Sequence, residues 1–182
     1  LFKDFEKYFG YTVRSKIETT YRFNEPLIGL SGKFITKNPS QSLKSLKSIR
    51  KTKTEFEFIK SFSSNQDDTD ALISVFDQIL KSPTFDSSKE ILVVGRYSFD
   101  LNRIKNEKGS LKMDHTEGSI IYRKLVANGQ NNSVKAKYLT VHKSKGLEAD
   151  IVIVLNCNSG RYGFPAQLSD DPVLNLLLSN SD

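Results

Sequence analysis

Two uninterrupted apolar runs mark the chain, Ile91-Leu92-Val93-Val94-Gly95 and Ile151-Val152-Ile153-Val154-Leu155. Runs of β-branched residues and leucine without a polar break predict strands covered on both faces. A shorter apolar segment, Tyr138-Leu139 with Val141, precedes the second run, and the polar insert from His142 to Asp150 separates the two. Helical spacing dominates elsewhere. Leu72, Val75, Phe76 and Ile79 form the apolar stripe of a helix that ends before Pro83. Phe2, Phe5 and Phe9 predict a short opening helix closed by Gly10. Leu27, Leu30, Ser31 and Phe34 line a helix with Asn24 as its cap and Pro26 in its first turn. Between these helices, Thr12 to Thr20 reads as extended, with Val13 and Ile17 turned inward.

The remaining segments carry weaker patterns. Asn38 to Thr54 is dense in lysine and serine and reads either as a basic surface helix carrying Leu43, Leu46 and Ile49 or as a loop. Such a charge run is more often a solvated face than a dedicated nucleic-acid contact. Glu55-Phe56-Glu57-Phe58 alternates as a half-buried strand does, and Ser63 to Asp70 is a polar break. Within Lys105 to Lys135, Ser119 to Val126 reads as a strand, Asn128 to Ser133 as a turn cluster, and His115 as a surface residue. Asn156 to Pro165 is rich in turn residues, and Asp170 to Leu178 predicts a helix with an acidic cap and Pro172 in its first position.

Length and charge narrow the class. The 182 residues suffice for one ordinary domain with a core, 37% are hydrophobic, and the formal net charge is +6. A pI of about 9.3 favours a polyanionic partner without requiring one. A single cysteine, Cys157, excludes an intrachain disulfide and a cysteine-built zinc site, which fits a reducing compartment and a cytoplasmic location. No apolar run approaches membrane-spanning length. The chain begins at Leu1 and stops just after the apolar segment Val173 to Leu178, so it reads as a piece of a larger protein.

The densest chemistry lies in Thr140-Val141-His142-Lys143-Ser144-Lys145-Gly146-Leu147-Glu148. Lys143 and Lys145 offer point charges for phosphate, Thr140 and Ser144 offer hydroxyls, and Glu148 can accept from a sugar hydroxyl. Gly146 permits positive φ or close approach of a ligand to the backbone. A solvated loop is the plain alternative. A second candidate follows the first apolar run, where Arg96, Tyr97 and Ser98 sit at a strand's carboxyl end ahead of a short helix through Ile104. Open α/β sheets place ligands there, and Ser98 is positioned to cap that helix.

The pattern T-x-H-x-x-K-G-L-E followed by an apolar strand resembles motif V of the UvrD/Rep-type superfamily 1 DNA helicases. Two further segments are similar to motifs of the same family. Glu18-Thr19-Thr20-Tyr21-Arg22 resembles motif IV, L-E-x-N-Y-R-S, with Thr20 at the asparagine position and Phe23 at the serine. Arg96 and Arg103 fit motif IVa, strand-R-x-N-x-x-x-R, with Ser98 at the asparagine position. Gly163-Phe164-Pro165, followed by Asp170-Asp171-Pro172-Val173-Leu174, is similar to the helicase IV branch.

This resemblance implies the second RecA-like motor domain of an ATP-dependent DNA helicase, which translocates on single-stranded DNA and unwinds duplex. The implied fold is an α/β, P-loop NTPase-type three-layer domain over 1–182, with a mostly parallel sheet and helices on both faces. Residues 105–135 would form a loop or hairpin where larger relatives carry an inserted subdomain. The implied cofactor is ATP with Mg²⁺, the metal being held by a preceding N-terminal motor domain. Arg22 inherits a contact to the γ-phosphate, with Gly146 and Glu148 also on the nucleotide and Glu148 at its ribose. Arg96, Ser98, Thr140, His142 and Lys145 inherit single-strand contacts. The implied partners are single-stranded DNA and the N-terminal RecA-like domain, with no membrane and no protein metal site. No G-x-x-x-x-G-K-[ST] occurs in the chain, so it supplies half of a catalytic cleft. The alternative is a non-catalytic RecA-like module that docks nucleic acid or protein.

Overall fold

The run Ile91–Gly95 forms a strand with every residue buried. The computed structural model describes residues 5–13, 15–38, 45–50, 57, 59, 68–105, 109–125, 131–164 and 166–168. The chain divides into two compact units, Leu1–Glu57 and Phe58–Asp182.

The first unit holds helices α1 (Phe5–Phe9) and α2 (Glu25–Ile35) and two short strands, β1 (Thr19–Thr20) and β2 (Lys47–Ser48), paired in parallel. Gly10 closes α1 with φ of 79°, its N–H donating to Glu6 O at 3.0 Å, and Phe5 stacks on Phe9. Asn24 caps α2 by its extended backbone, and its carbonyl accepts from Ile28 N at 3.1 Å. The inward face differs from the expected one: Ile28 is buried, while Leu30 and Phe34 are exposed. Val13 and Ile17, expected inside, are 83% and 78% exposed. Among the described residues their segment pairs through Thr19 and Thr20 and offers no wider sheet face for them to cover. Around Lys47 the basic stretch is extended rather than helical, and Ser48 ties it to α2 by donating from its N–H to Glu25 Oε1 at 2.9 Å. Leu43 and the Glu55-Phe56-Glu57-Phe58 strand fall on or beside positions outside the described residues, as do Phe2 and the helix expected over Asp170 to Leu178.

The second unit contains α3 (Thr69–Lys81), β3 (Ile91–Gly95), a 3₁₀ turn (Ser98–Arg103), β4 (Leu111–Asp114), β5 (Ser119–Leu125), β6 (Asn131–Thr140), α4 (Val141–Ser144) and β7 (Ile151–Val154). Five strands form one sheet in the order β4-β5-β6-β3-β7. The α/β class holds, but the sheet is mixed. β3 is parallel to both β6 and β7, whereas β4-β5 and β5-β6 are antiparallel. The antiparallel wing forms where the turn at Glu117-Gly118 sets β5 back beside β4, and β6 in turn runs antiparallel to β5. Gly118 adopts φ of 65°, and a Cβ there would lie 2.6 Å from Tyr138 O. Asn131 to Ser133, expected in a turn, instead open β6.

α3 packs on one face of this sheet, as its spacing requires. Leu72, Phe76 and Ile79 meet Ile91, Val93, Ile120, Val134, Ala136 and Tyr138 in one core, and Phe76 stacks on Tyr122 at 5.6 Å between centroids. Burying one such side chain stabilises the fold by about 1.5–3 kcal/mol. Helices on both faces were expected; among the described residues of this unit, α3 is the one long helix on the sheet. Among the described residues, the second apolar run is likewise covered on one side. β7 lies at the sheet edge, with Ile151 and Ile153 against the core and Val152 and Val154 53% and 47% exposed.

Candidate functional site

Parallel pairing of β6, β3 and β7 brings their carboxyl ends to one edge. Thr140 is paired with Gly95, so the segments following β6 and β3 leave the sheet side by side. After Thr140 the chain makes the four-residue turn of helix α4, with the Thr140 hydroxyl accepting from Lys143 N at 3.4 Å. His142 and Lys145 are exposed on this turn and Thr140 is half-buried. Gly146 then takes φ of 87° with no neighbour near its missing Cβ. The conformation itself, rather than crowding, calls for glycine there.

Beyond Gly146 the chain returns to the opposite end of the sheet. Asp150 N donates to Glu90 O at 3.0 Å, and Glu90 N donates to Asp150 Oδ2 at 2.9 Å, just before β3 and β7 begin in register. Glu148 is exposed two residues from that anchor, within about 7 Å along the chain. It therefore lies nearer the amino ends of the strands than the edge that holds Arg96. Thr140, His142, Lys145, Arg96 and Ser98 share one edge; Glu148 does not. Arg22 lies in the first unit, exposed on a bend, its backbone N–H donating to Thr20 Oγ1 at 3.3 Å.

The turn after β3 is held at both backbone groups of Tyr97. Its N–H donates to Asp100 Oδ2 at 2.9 Å, and its carbonyl accepts from the Tyr138 hydroxyl. Asp100 is only 1% exposed. Burial, and then the Asp100 charge, push the Tyr138 phenol up to about 12. Gly95 is required by this packing, since a Cβ would fall 2.2 Å from Tyr138 Oη and 3.0 Å from Asp100 Cβ. The expected capping by Ser98 is corrected here. Tyr97, not Ser98, occupies the cap position, and the element is a six-residue 3₁₀ turn with an acid at its start. The Asp100 carboxylate already takes the free N–H, which disfavours a phosphate at that position. Arg103, the second motif IVa arginine, lies 3.1 Å from Asp68 at the start of α3 and serves as a structural pair.

Arg96 is half-buried. Its Nε donates to Tyr97 Oη at 3.2 Å, Nη1 reaches Gly163 O at 3.5 Å, and its guanidinium lies over the rings of Tyr97 and Phe164 at 5.6 and 5.7 Å. Tyr97 and Phe99 stack at 4.9 Å, 7° from parallel, and Tyr162 stands perpendicular to both. Tyr97 and Phe164 stand in stretches named from the sequence, but no aromatic role was assigned there and Phe99 and Tyr162 were not singled out, although a signal existed. Gly95-Arg96-Tyr97-Ser98-Phe99 and Gly160-Arg161-Tyr162-Gly163-Phe164 are two copies of G-R-Y-x-F, one after β3 and one after β7. Strand adjacency makes the two copies meet. A separate cleft lined by Leu80, Phe85, Asp86, Ser87, Asn132 and Ser133 opens toward the start of β6, away from Thr140, and carries none of this chemistry. No group of residues able to hold a metal ion occurs among the described residues, and none of their helices is long and apolar enough to cross a membrane.

Against curated proteins, the chain is 27% identical over 162 residues to DNA helicase IV of Escherichia coli (strain K12). The alignment covers 89% of this chain and 20% of that protein, so the chain spans about a fifth of the relative's length. This similarity supports a helicase-related relationship. No family model matches the chain. No solved structure matches it.

Proposed function

We propose that the chain serves as the second, RecA-like motor domain of an ATP-dependent DNA helicase. The observation that supports this reading best is the shared carboxyl edge, where the Thr140–Lys145 turn and the Arg96 turn emerge from paired strands β6 and β3. The similarity to DNA helicase IV of Escherichia coli points the same way. In this reading the edge tracks a single strand, with Lys145 and His142 at its phosphates and Thr140 and Ser98 as polar contacts. Arg96 is a less available contact than its motif suggests, because its guanidinium is already packed and bonded within the turn. Glu148, toward the other end of the strands, is kept for the nucleotide ribose together with Gly146, and Arg22 for the γ-phosphate.

ATP and Mg²⁺ are supplied with a phosphate loop by a companion motor domain, because this sequence contains no G-x-x-x-x-G-K-[ST]. The chain alone therefore turns over no ATP. Binding of a labelled single strand, followed by fluorescence anisotropy as salt is raised, tests the nucleic-acid half of this reading. Affinity is expected to fall with salt, since each phosphate contact releases counterions, and Lys145→Ala is expected to reduce the slope by about one. Absence of binding at low salt, or binding indifferent to salt, overturns it.

A further inference from the structure

The two G-R-Y-x-F copies leave an aromatic surface that the helicase reading does not use. Phe99 and Tyr162 are 43% and 44% exposed, although each is a large ring in a well-packed cluster. The ring geometry shows that Tyr162 does not cap the stacked pair, which agrees with the 43% exposure of Phe99. Tyr162 lies 5.7 Å from the Tyr97 centroid and 5.5 Å from that of Phe99, nearly equidistant, so it stands beside the stacked pair rather than over its end. One face of Phe99 is against Tyr97, and the other is not covered by Tyr162.

This surface is held in place from below. Asn156 adopts φ of 58°, the one non-glycine residue with positive φ among the described residues, and its Nδ2 donates to Tyr162 O at 3.1 Å. Its carbonyl accepts from Phe164 N at 3.3 Å, while Gly163 N donates to Gly160 O at 3.2 Å. A Cβ at Gly163 would lie 1.9 Å from Asn158 O, so the loop closes only with glycine there. Arg161 is exposed, with its guanidinium 5.4 Å from the Tyr162 ring centroid. Rings held with an open face and flanked by cations match what single-stranded nucleic acid binds: bases stack on the rings and phosphates meet the cations.

We infer that the Tyr97–Phe99–Tyr162 cluster is a nucleobase-stacking site for single-stranded nucleic acid, with a base on the open face of Phe99 and Arg161 beside the adjoining phosphate. The inference rests on the nucleic-acid reading above and adds to it a contact that depends on bases rather than charge.

The test compares an oligothymidine with an abasic strand of equal length and charge, both labelled for anisotropy. The oligothymidine is expected to bind roughly 5- to 150-fold more tightly, the range a stacked base supplies. Phe99→Leu removes most of that preference while leaving the abasic affinity and the salt slope unchanged. Phe99→Trp keeps the preference. The chain has no tryptophan of its own, so the emission of this variant reports the site directly, quenched by the oligothymidine and not by the abasic strand. Should Phe99→Leu fail to fold, that quenching and Tyr162→Leu carry the test. Equal, salt-sensitive binding of both strands, or unquenched Phe99→Trp emission, overturns the stacking site and leaves the nucleic-acid reading standing. If neither strand binds at low salt, both fall.

Discussion

Tyr97 shows how single residues set the site. Its N–H and carbonyl are both committed, to Asp100 and to the Tyr138 hydroxyl, so the turn that carries Arg96 and Phe99 has little freedom. Gly95 completes the arrangement. Because the Tyr138 hydroxyl cannot swing aside without releasing Tyr97 O, Gly95→Ala is expected to cost about 1–3 kcal/mol. A lowered urea midpoint with unchanged slope checks this; an unshifted midpoint would show that the hydroxyl yields freely. Tyr138 also makes stability sensitive to alkali. Its folded value of about 12 exceeds the ordinary 10.0, so the fold holds a proton that the unfolded chain releases. Stability is therefore full below about pH 10 and falls as pH rises toward 12. Tyr122, also pushed up to about 12 by burial and then by Asp77, contributes in the same window. Urea midpoints measured across that window should fall less steeply in Tyr138→Phe than in the parent.

At the scale of elements, α3 and the sheet are joined in two ways of unequal weight. One is apolar: Phe76, with no exposed surface, lies in the core and stacks on Tyr122. Phe76→Ala is expected to cost about 3–5 kcal/mol. The other is polar: Asp77 accepts from Tyr122 Oη at 2.7 Å and from Lys124 Nζ at 2.6 Å. Burial raises the Asp77 carboxyl, but the Lys124 and Tyr122 bonds outweigh it and leave the value below the ordinary 3.8. The stability from this tie is present above that value and is lost as pH falls through the lowered one. Partial exposure of the pair keeps its worth to roughly 0–1 kcal/mol. The edge strand β7 provides the contrast. Val152→Thr, on its exposed face, is expected to change stability by no more than about 0.5 kcal/mol in thermal or urea melts. A cost comparable with that of Phe76→Ala would mean that this face is covered.

At the scale of the whole molecule, the proposed motor needs a second domain, and Arg22 is where the two would meet chemically. In a helicase that contains this chain together with its companion motor domain, Arg22→Ala is expected to lower kcat for ATP on the order of 10³-fold, with little change in nucleotide affinity. A cation that meets charge developing on the γ-phosphate stabilises the transition state more than the ground state. Glu148→Ala, as a ribose contact, should instead raise KM. Steady-state kinetics at saturating single strand separate the two, and near-parental turnover by Arg22→Ala would remove Arg22 from the nucleotide site.

Much of the organisation was legible in the order of residues, because local physics dictates it. The i, i+3, i+4, i+7 stripe of Leu72, Val75, Phe76 and Ile79 could bury itself only as a helix, and Ile91 to Val94 only as an interior strand. Gly10 and Gly146 stand where the backbone takes positive φ. Which face Ile28, Val13 and Ile17 present depended on partners that sequence spacing does not name. The same holds for β7, whose apolar run resembles that of β3; a place at the sheet edge, rather than composition, leaves Val152 and Val154 half exposed. Mixed pairing likewise followed from β5 lying antiparallel between β4 and β6. The aromatic cluster divides between the two causes. Each G-R-Y-x-F copy is written in the sequence, but residues 65 positions apart, such as Tyr97 and Tyr162, become neighbours only because β7 pairs with β3 in parallel and brings both loops to one edge.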